Sequence, residues 1–410
     1  MNIRTSKHNI KTLSWLTLSN ILGSLSQWFL LIILVKFFST TDVGYFTYGM
    51  ALSAPIFMLS DMQLKSVLIV EPTGEKDNFR TYQLIRFLTT TIATLGLITY
   101  YIIFKEVNWI VLIVILYKAS QSLTDILSGY LQKIDKMIWL SKLGICKTFS
   151  TLALTLFMTL AIREIETTLL SLVIVSLLFY FILNWQINKI VALRFSPTLH
   201  EILDIIKKSI PLGISVFMGS YITNYPRLTI ENLEGAEMLA YYGAYSYLAI
   251  GMFQIHIPIQ VFLRQRLSKS YQNSNYKDFT RKVNFSIIGF VLLGILILSI
   301  LFAFGHHIIR IIYNDSYNQY FDVLLWLIIS QTILSVTNVL SIAVLSFNVY
   351  TKQAFVSGTS LAMVLCLSNF LISRYSIYGG CYISIIAACI SFISYSFIYY
   401  NRLKIWKTKA

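Results

Sequence analysis

The chain has 410 residues, 56% of them hydrophobic and only 12% charged, with 33 Lys and Arg against 18 Asp and Glu for a formal net charge of +15. Soluble chains carry about a quarter of their residues as charges, so a soluble globular protein is excluded. The basic residues sit in short clusters between apolar runs, as membrane topology requires, so the charge speaks for a bilayer and against a nucleic-acid partner.

A spanning helix needs about 20 mostly apolar residues to cross a hydrocarbon core about 30 Å thick. Twelve such runs are predicted, at 12 to 35, 43 to 70, 82 to 104, 108 to 130, 140 to 162, 167 to 190, 209 to 231, 239 to 262, 283 to 304, 321 to 346, 354 to 373 and 380 to 400. In the first, Asn20, Ser24 and Gln27 fall at i, i+4 and i+7 and share one helix face. That face serves either interhelical hydrogen bonding or a water-filled cavity. The second carries Asp61 and Lys65 at i, i+4 near its cytoplasmic end, where Lys65 can snorkel to the surface. Arg86 stands near the cytoplasmic start of the third.

In the fourth run Lys118 lies near the midplane, with Gln121 and Asp125 on much the same side. An ammonium that deep has to face a carboxylate, water or an anionic substrate. A structural Lys118–Asp125 pair is disfavoured, because seven residues at about 1.5 Å each separate the two by about 10 Å along the axis. The seventh run holds Pro211, Gly213, Gly219, Pro226, Arg227 and Glu231. Its prolines are expected to bend it, making Pro211, Pro226 and Gly219 gate or hinge candidates. Arg227 and Glu231 form either a static ion pair or an anion site in which Glu231 holds the arginine for phosphate. Pro258, two residues after His256, marks a further bend in the eighth.

With the amino terminus inside, 26 of the 33 basic residues flank the cytoplasmic ends of the spans and five lie outside. Only Lys118 and Arg227 remain well within spans, so both termini are expected in the cytoplasm. Val43 to Tyr48 weakly resembles Leu239 to Ala244 at an offset of 196, which also pairs Lys11 with Lys207 and Gly23 with Gly219. This suggests two six-helix halves of parallel topology, at 1–200 and 201–410. The four cysteines, Cys146, Cys366, Cys381 and Cys389, lie in or beside apolar segments without metal-ligand spacing, and read as packing residues. No Walker A, HExxH or GxSxG motif is present, so a non-enzymatic protein without a cofactor is expected.

Five stretches together resemble the polysaccharide transporter family, the Wzx-type repeat-unit flippases of the MOP exporter superfamily. They are Phe37 to Phe46 (FFSTTDVGYF), Ala51 to Met58 (ALSAPIFM), Asp125 to Gln132 (DILSGYLQ), Tyr225 to Glu231 (YPRLTIE) and Tyr241 to Leu248 (YYGAYSYL). The resemblance covers the first two thirds of the chain. It implies an all-α polytopic protein of the cell membrane, with two six-helix bundles around a central cavity that alternates between inward-open and outward-open. The implied partners are the lipid bilayer, a polyprenyl-diphosphate-linked oligosaccharide moved to the outer leaflet, and the polysaccharide polymerase machinery. By the same resemblance Lys118 and Arg227 match basic cavity positions. Asn20, Gln27, Arg86 and Gln121 are further candidate substrate ligands. Asp61, Asp125 and Glu231 are candidates for ion coupling or ion pairing. The chain lacks two further carboxyl-terminal spans of the lipid II flippases, which argues against that substrate. A multidrug or small-cation extruder of the same fold is the alternative, which the deep cations Lys118 and Arg227 count against.

Overall fold

The computed structural model describes residues 3–71, 78–190, 198–254, 256–347, 349 and 351–409, and among them every regular element is helical. Lys76 and Arg194, counted above on the cytoplasmic flank, lie outside the described residues. The helices are α1 (Ile3–Phe37), α2 (Thr40–Asp61), α3 (Leu64–Val70), α4 (Phe79–Phe104), α5 (Trp109–Lys133), α6 (Met137–Ala161), α7 (Ile165–Ile190) and α8 (Leu199–Met252). They continue as α9 (His256–Gln272), α10 (Tyr276–Ile312), a 3-10 turn (Asp315–Tyr320), α11 (Phe321–Ser346), α12 (Thr351–Tyr375) and α13 (Ile377–Lys409). Ten segments among the described residues are long and apolar enough to cross a membrane. Their outward side chains fit hydrocarbon as solvent: Phe302 on α10 is 86% exposed, and Phe157, Phe181 and Phe285 are likewise open. This is a multi-pass membrane protein.

The ten correspond to the expected spans except the seventh and eighth, which both begin inside α8. Asn224, Arg227, Glu231 and the prolines dilute the first of these. The second does not continue to residue 262: the helix ends at Met252, and Phe253 and Gln254 form a turn before α9. Proline at 258 offers no N–H to the carbonyl at 254, so the ladder fails there. Helical dihedrals persist through Pro211 and Pro226. The residue of α8 that leaves them is Gly235, at φ 86° and ψ 175°, a region open to glycine at little cost. The break therefore falls at Gly235 and not at either proline.

Short connections are set by local chemistry. Ser39 and Asn108 cap α2 and α5 by accepting from the backbone N–H of Asp42 (3.1 Å) and Ile110 (2.9 Å). Single left-handed residues, Asp135 and Arg163, turn the chain from α5 to α6 and from α6 to α7.

Internal packing divides the chain into Met1–Ser220 and Tyr221–Ala410; the anticipated halves at 1–200 and 201–410 differ from these units by the segment 201–220. In the first unit α5 is the central helix, packed by α2, α3, α4 and α7, while α6 lies between α1 and α7. The core beside α3 is built on Phe79 stacked on Tyr130 at 4.1 Å, with Tyr82, Leu64 and Leu68. In the second unit α11 packs against α9, α10 and α13, and α12 against α13, around Phe279, Phe347 and Tyr399, with Trp406 packed against them. Lys147, one of the 26 basic residues assigned to the cytoplasmic flank, stands ten residues beyond the start of α6 at Met137.

Candidate functional site

The site in the first unit begins with a break in a helix. Met62 (φ 46°) and Gln63 (φ 54°) are both left-handed, which costs an L-residue roughly 1–2 kcal/mol each. They end α2 at Asp61 and restart the chain as α3 before Lys65. Gly213 of α8 closes on this turn, since a Cβ there would lie 2.9 Å from the Met62 Cα. The i, i+4 relation of Asp61 and Lys65 is thereby lost, and the two side chains go to different partners.

Asp61 accepts from the Arg86 guanidinium of α4 and from the Ser122 hydroxyl of α5. Thr90 and Ser122 share a hydrogen bond of 3.0 Å. The other end of Arg86 lies 3.5 Å from Asp125, and Lys65 Nζ reaches the second oxygen of that carboxylate at 3.0 Å. The Arg86 side chain is 1% exposed, against 27% for Asp61 and 37% for Asp125. Arg86, named above as a candidate substrate ligand, is thus enclosed by carboxylates and has almost no surface to offer. A buried ion is tolerated only when paired and hydrogen-bonded, and here one cation organises two half-open carboxylates.

Lys118 lies on the same face of α5, four residues before Ser122. Among the described residues it has no hydrogen bond and no ion-pair partner, and Asp61 is the carboxylate whose charge reaches it. The Lys118–Asp125 pair is not made, because Lys65 and Arg86 occupy Asp125. Three cations thus stand against two carboxylates. Gln121 hydrogen-bonds the Tyr117 side chain. On α1, Asn20 and Gln27 are exposed, Ser24 is half-buried, and none of the three makes a side-chain hydrogen bond among the described residues. Interhelical bonding therefore does not account for that polar face.

In the second unit Arg227 is 4% exposed and faces neutral groups. Its guanidinium donates to Asn224 Oδ1 at 3.1 Å and Ser246 Oγ at 2.8 Å, and stacks over the Tyr247 ring at 4.7 Å. Its Nε has no partner. The static pair with Glu231 does not form; Glu231 is half-buried and has other interactions. Tyr242 and Tyr313 fix the segment carrying Ser246, through Tyr242 Oη to the Gly380 carbonyl (3.3 Å) and Tyr313 Oη to the Ala244 carbonyl (3.0 Å). Pro226 is buried, Pro211 and Gly219 are exposed, and a Cβ at Gly219 would meet open space.

Ser122 and Thr90 were missed by the sequence reading, though Ser122 sits at helical spacing from both Lys118 and Asp125. Ser246 and Tyr247 fall in the Tyr241 to Leu248 stretch of the resemblance, but nothing in their spacing, nineteen and twenty residues beyond Arg227, ties them to it.

The family model for polysaccharide biosynthesis proteins matches residues 10–263. The chain belongs to that family. It is 25% identical over 402 residues to the capsular polysaccharide biosynthesis protein CapF of Staphylococcus aureus, covering 95% of this chain and 99% of that one. Among solved structures it is similar to an inward-facing multidrug resistance MATE family transporter of the MOP superfamily, with TM-score 0.71, 10% identity and 98% and 99% of the two chains covered. The lipid II flippase MurJ, in an inward closed conformation, superposes with TM-score 0.70, 14% identity and 96% of this chain and 91% of that one. These two likenesses establish the MOP transporter fold.

Proposed function

We propose that this member of the family is a flippase, moving polyprenyl-diphosphate-linked oligosaccharide from the cytoplasmic to the outer leaflet of the cell membrane for surface polysaccharide synthesis. Twelve spans, with α8 supplying the seventh and opening the eighth, leave both termini in the cytoplasm under the charge asymmetry of the loops. The flipped product then passes to the polysaccharide polymerase machinery.

The observation that carries this reading is Lys118, a cation of a membrane helix left without a partner by an otherwise neutralised cluster. Moving a diphosphate and a sugar headgroup through hydrocarbon is prohibitive unless hydrated, basic protein surface replaces water. The polyprenyl tail stays in lipid. Family membership and the full-length likeness to a capsular polysaccharide protein support the same substrate class. An extruder of cations calls for the opposite excess, carboxylates beyond the number of cations. Asp61 and Asp125, open by 27% and 37%, are the coupling candidates of this unit, since a carboxylate reached by water can exchange an ion.

The test is reconstitution of the purified protein into liposomes carrying a fluorescent polyprenyl-diphosphate disaccharide. Transbilayer movement faster than in protein-free liposomes is expected. Movement no faster than in empty liposomes, with expulsion of a cationic dye, would contradict the proposal and leave the extruder reading.

A further inference from the structure

We propose that Lys147, with Asn20, Ser24 and Gln27, forms a second binding wall in the first unit, on the α1–α6 pair, for an anionic oxygen group of the headgroup. The inference rests on the flippase reading above.

The argument starts from the seam between the two helices. Lys142 Nζ stands 5.4 Å from the centre of the Trp15 ring, and a Cβ at Gly144 would come within 2.7 Å of Ser19 Oγ. The contacts advance along α1 and α6 together, so the helices run side by side in the same direction. At about 100° per residue, Lys147 lies about 60° from the Gly144 seam. Asn20 and Gln27 lie about 80 to 100° from the Ser19 seam, and Ser24 about 140°. Lys147 is reached by counter-rotation and the α1 residues by forward rotation. On two facing parallel helices, opposite rotations lead to the same side of the pair. In height Lys147 is about 4.5 Å past the seam contact, between Asn20 at about 1.5 Å and Ser24 at about 7.5 Å.

The groups on this side are unsatisfied. Among the described residues the Lys147 ammonium has no hydrogen bond, carboxylate or ring partner, and the side chains of Asn20 and Gln27 have no hydrogen bond. Lys142 over Trp15 marks the level of a basic and aromatic membrane interface, and Lys147 lies about 7.5 Å deeper. A cation there is costly unless water or an anion meets it. An ammonium brings three donors, and each carboxamide two donors and an acceptor. That set fits an anion flanked by hydroxyls: the diphosphate oxygens next to the first sugar, or the carboxylate of an acidic sugar. Lys118, on α5 with Asp61 in range, is a separate position.

The experiment measures binding by the full-length protein in nanodiscs, with polyprenyl diphosphate as one probe and methyl glucuronide as the other. Lys147→Gln is expected to weaken binding of one of them about tenfold, or about 1.4 kcal/mol, while Lys147→Arg retains it. Asn20→Ala combined with Gln27→Ala, at exposed positions where folding is little disturbed, weakens the same probe. Loss confined to polyprenyl diphosphate assigns the wall to phosphate, and loss confined to methyl glucuronide assigns it to an acidic sugar. Wild-type affinity of Lys147→Gln and of the Asn20, Gln27 double variant for both probes overturns the inference. If Lys118→Gln loses polyprenyl diphosphate while those variants lose neither probe, the wall fails alone. If the wild-type protein binds neither probe, the flippase reading fails with it.

Discussion

In the first unit the buried guanidinium of Arg86 meets two carboxylates, whereas in the second the similarly buried guanidinium of Arg227 meets an amide, a hydroxyl and an aromatic ring. The difference lies in what each side chain leaves behind when removed. Without Arg86, Asp61 and Asp125 face each other's charge at membrane depth. Without Arg227 only neutral dipoles lose a partner, because among the described residues no carboxylate pairs with it. The first unit shows the same division on a smaller scale, with Arg86 and Lys65 balancing the carboxylates and Lys118 left over.

The comparison predicts unequal costs. Arg86→Gln should destabilise the protein most, by about 3–5 kcal/mol, the range for breaking one side of a buried ion pair, read as a lowered unfolding transition of the detergent-purified protein. A loss below about 1 kcal/mol would show that the cluster is not structural. Arg227→Gln should cost about 1–3 kcal/mol, for the unmatched Asn224 and Ser246, yet stop transport. Lys65→Gln should cost least, at most about 1 kcal/mol, because both partners of the Lys65–Asp125 pair are about a third exposed. Exchanging the charges, Arg227→Glu with Glu231→Arg, should leave transport broken, because the two residues are not paired. Restored transport in that double variant would erase the distinction between the units.

Most of the fold could be read from the sequence because a spanning helix announces itself as a run of apolar residues, and ten of the expected runs recur as helices. Breaks were harder. Pro211 and Pro226 drew attention as helix breakers, but a membrane helix can keep its dihedrals through proline when neighbours accommodate the freed carbonyl. The turns instead fall at Gly235 and at Met62–Gln63, where neither residue is a breaker and Gly213 packs closely against the left-handed backbone. That hidden break redirected Asp61 and Lys65 and defeated their i, i+4 pairing. Lys118, Asp125 and Arg227 stood out because ionisable groups are rare in such runs. Arg86 and Lys147 were assigned to the flank by their nearness to predicted span ends, which the longer helices α4 and α6 shift outward.

Lys118, the excess cation of the first unit, is proposed to contact the diphosphate during transport. The most direct measurement is the rate of transbilayer movement of a fluorescent polyprenyl-diphosphate disaccharide in proteoliposomes, comparing wild type, Lys118→Gln and Lys118→Arg at matched folding and reconstitution. Lys118→Gln is expected to fall at least about tenfold, the loss of one charge-assisted contact worth about 1.4 kcal/mol or more, while Lys118→Arg keeps most of the rate. A wild-type rate for Lys118→Gln would contradict it.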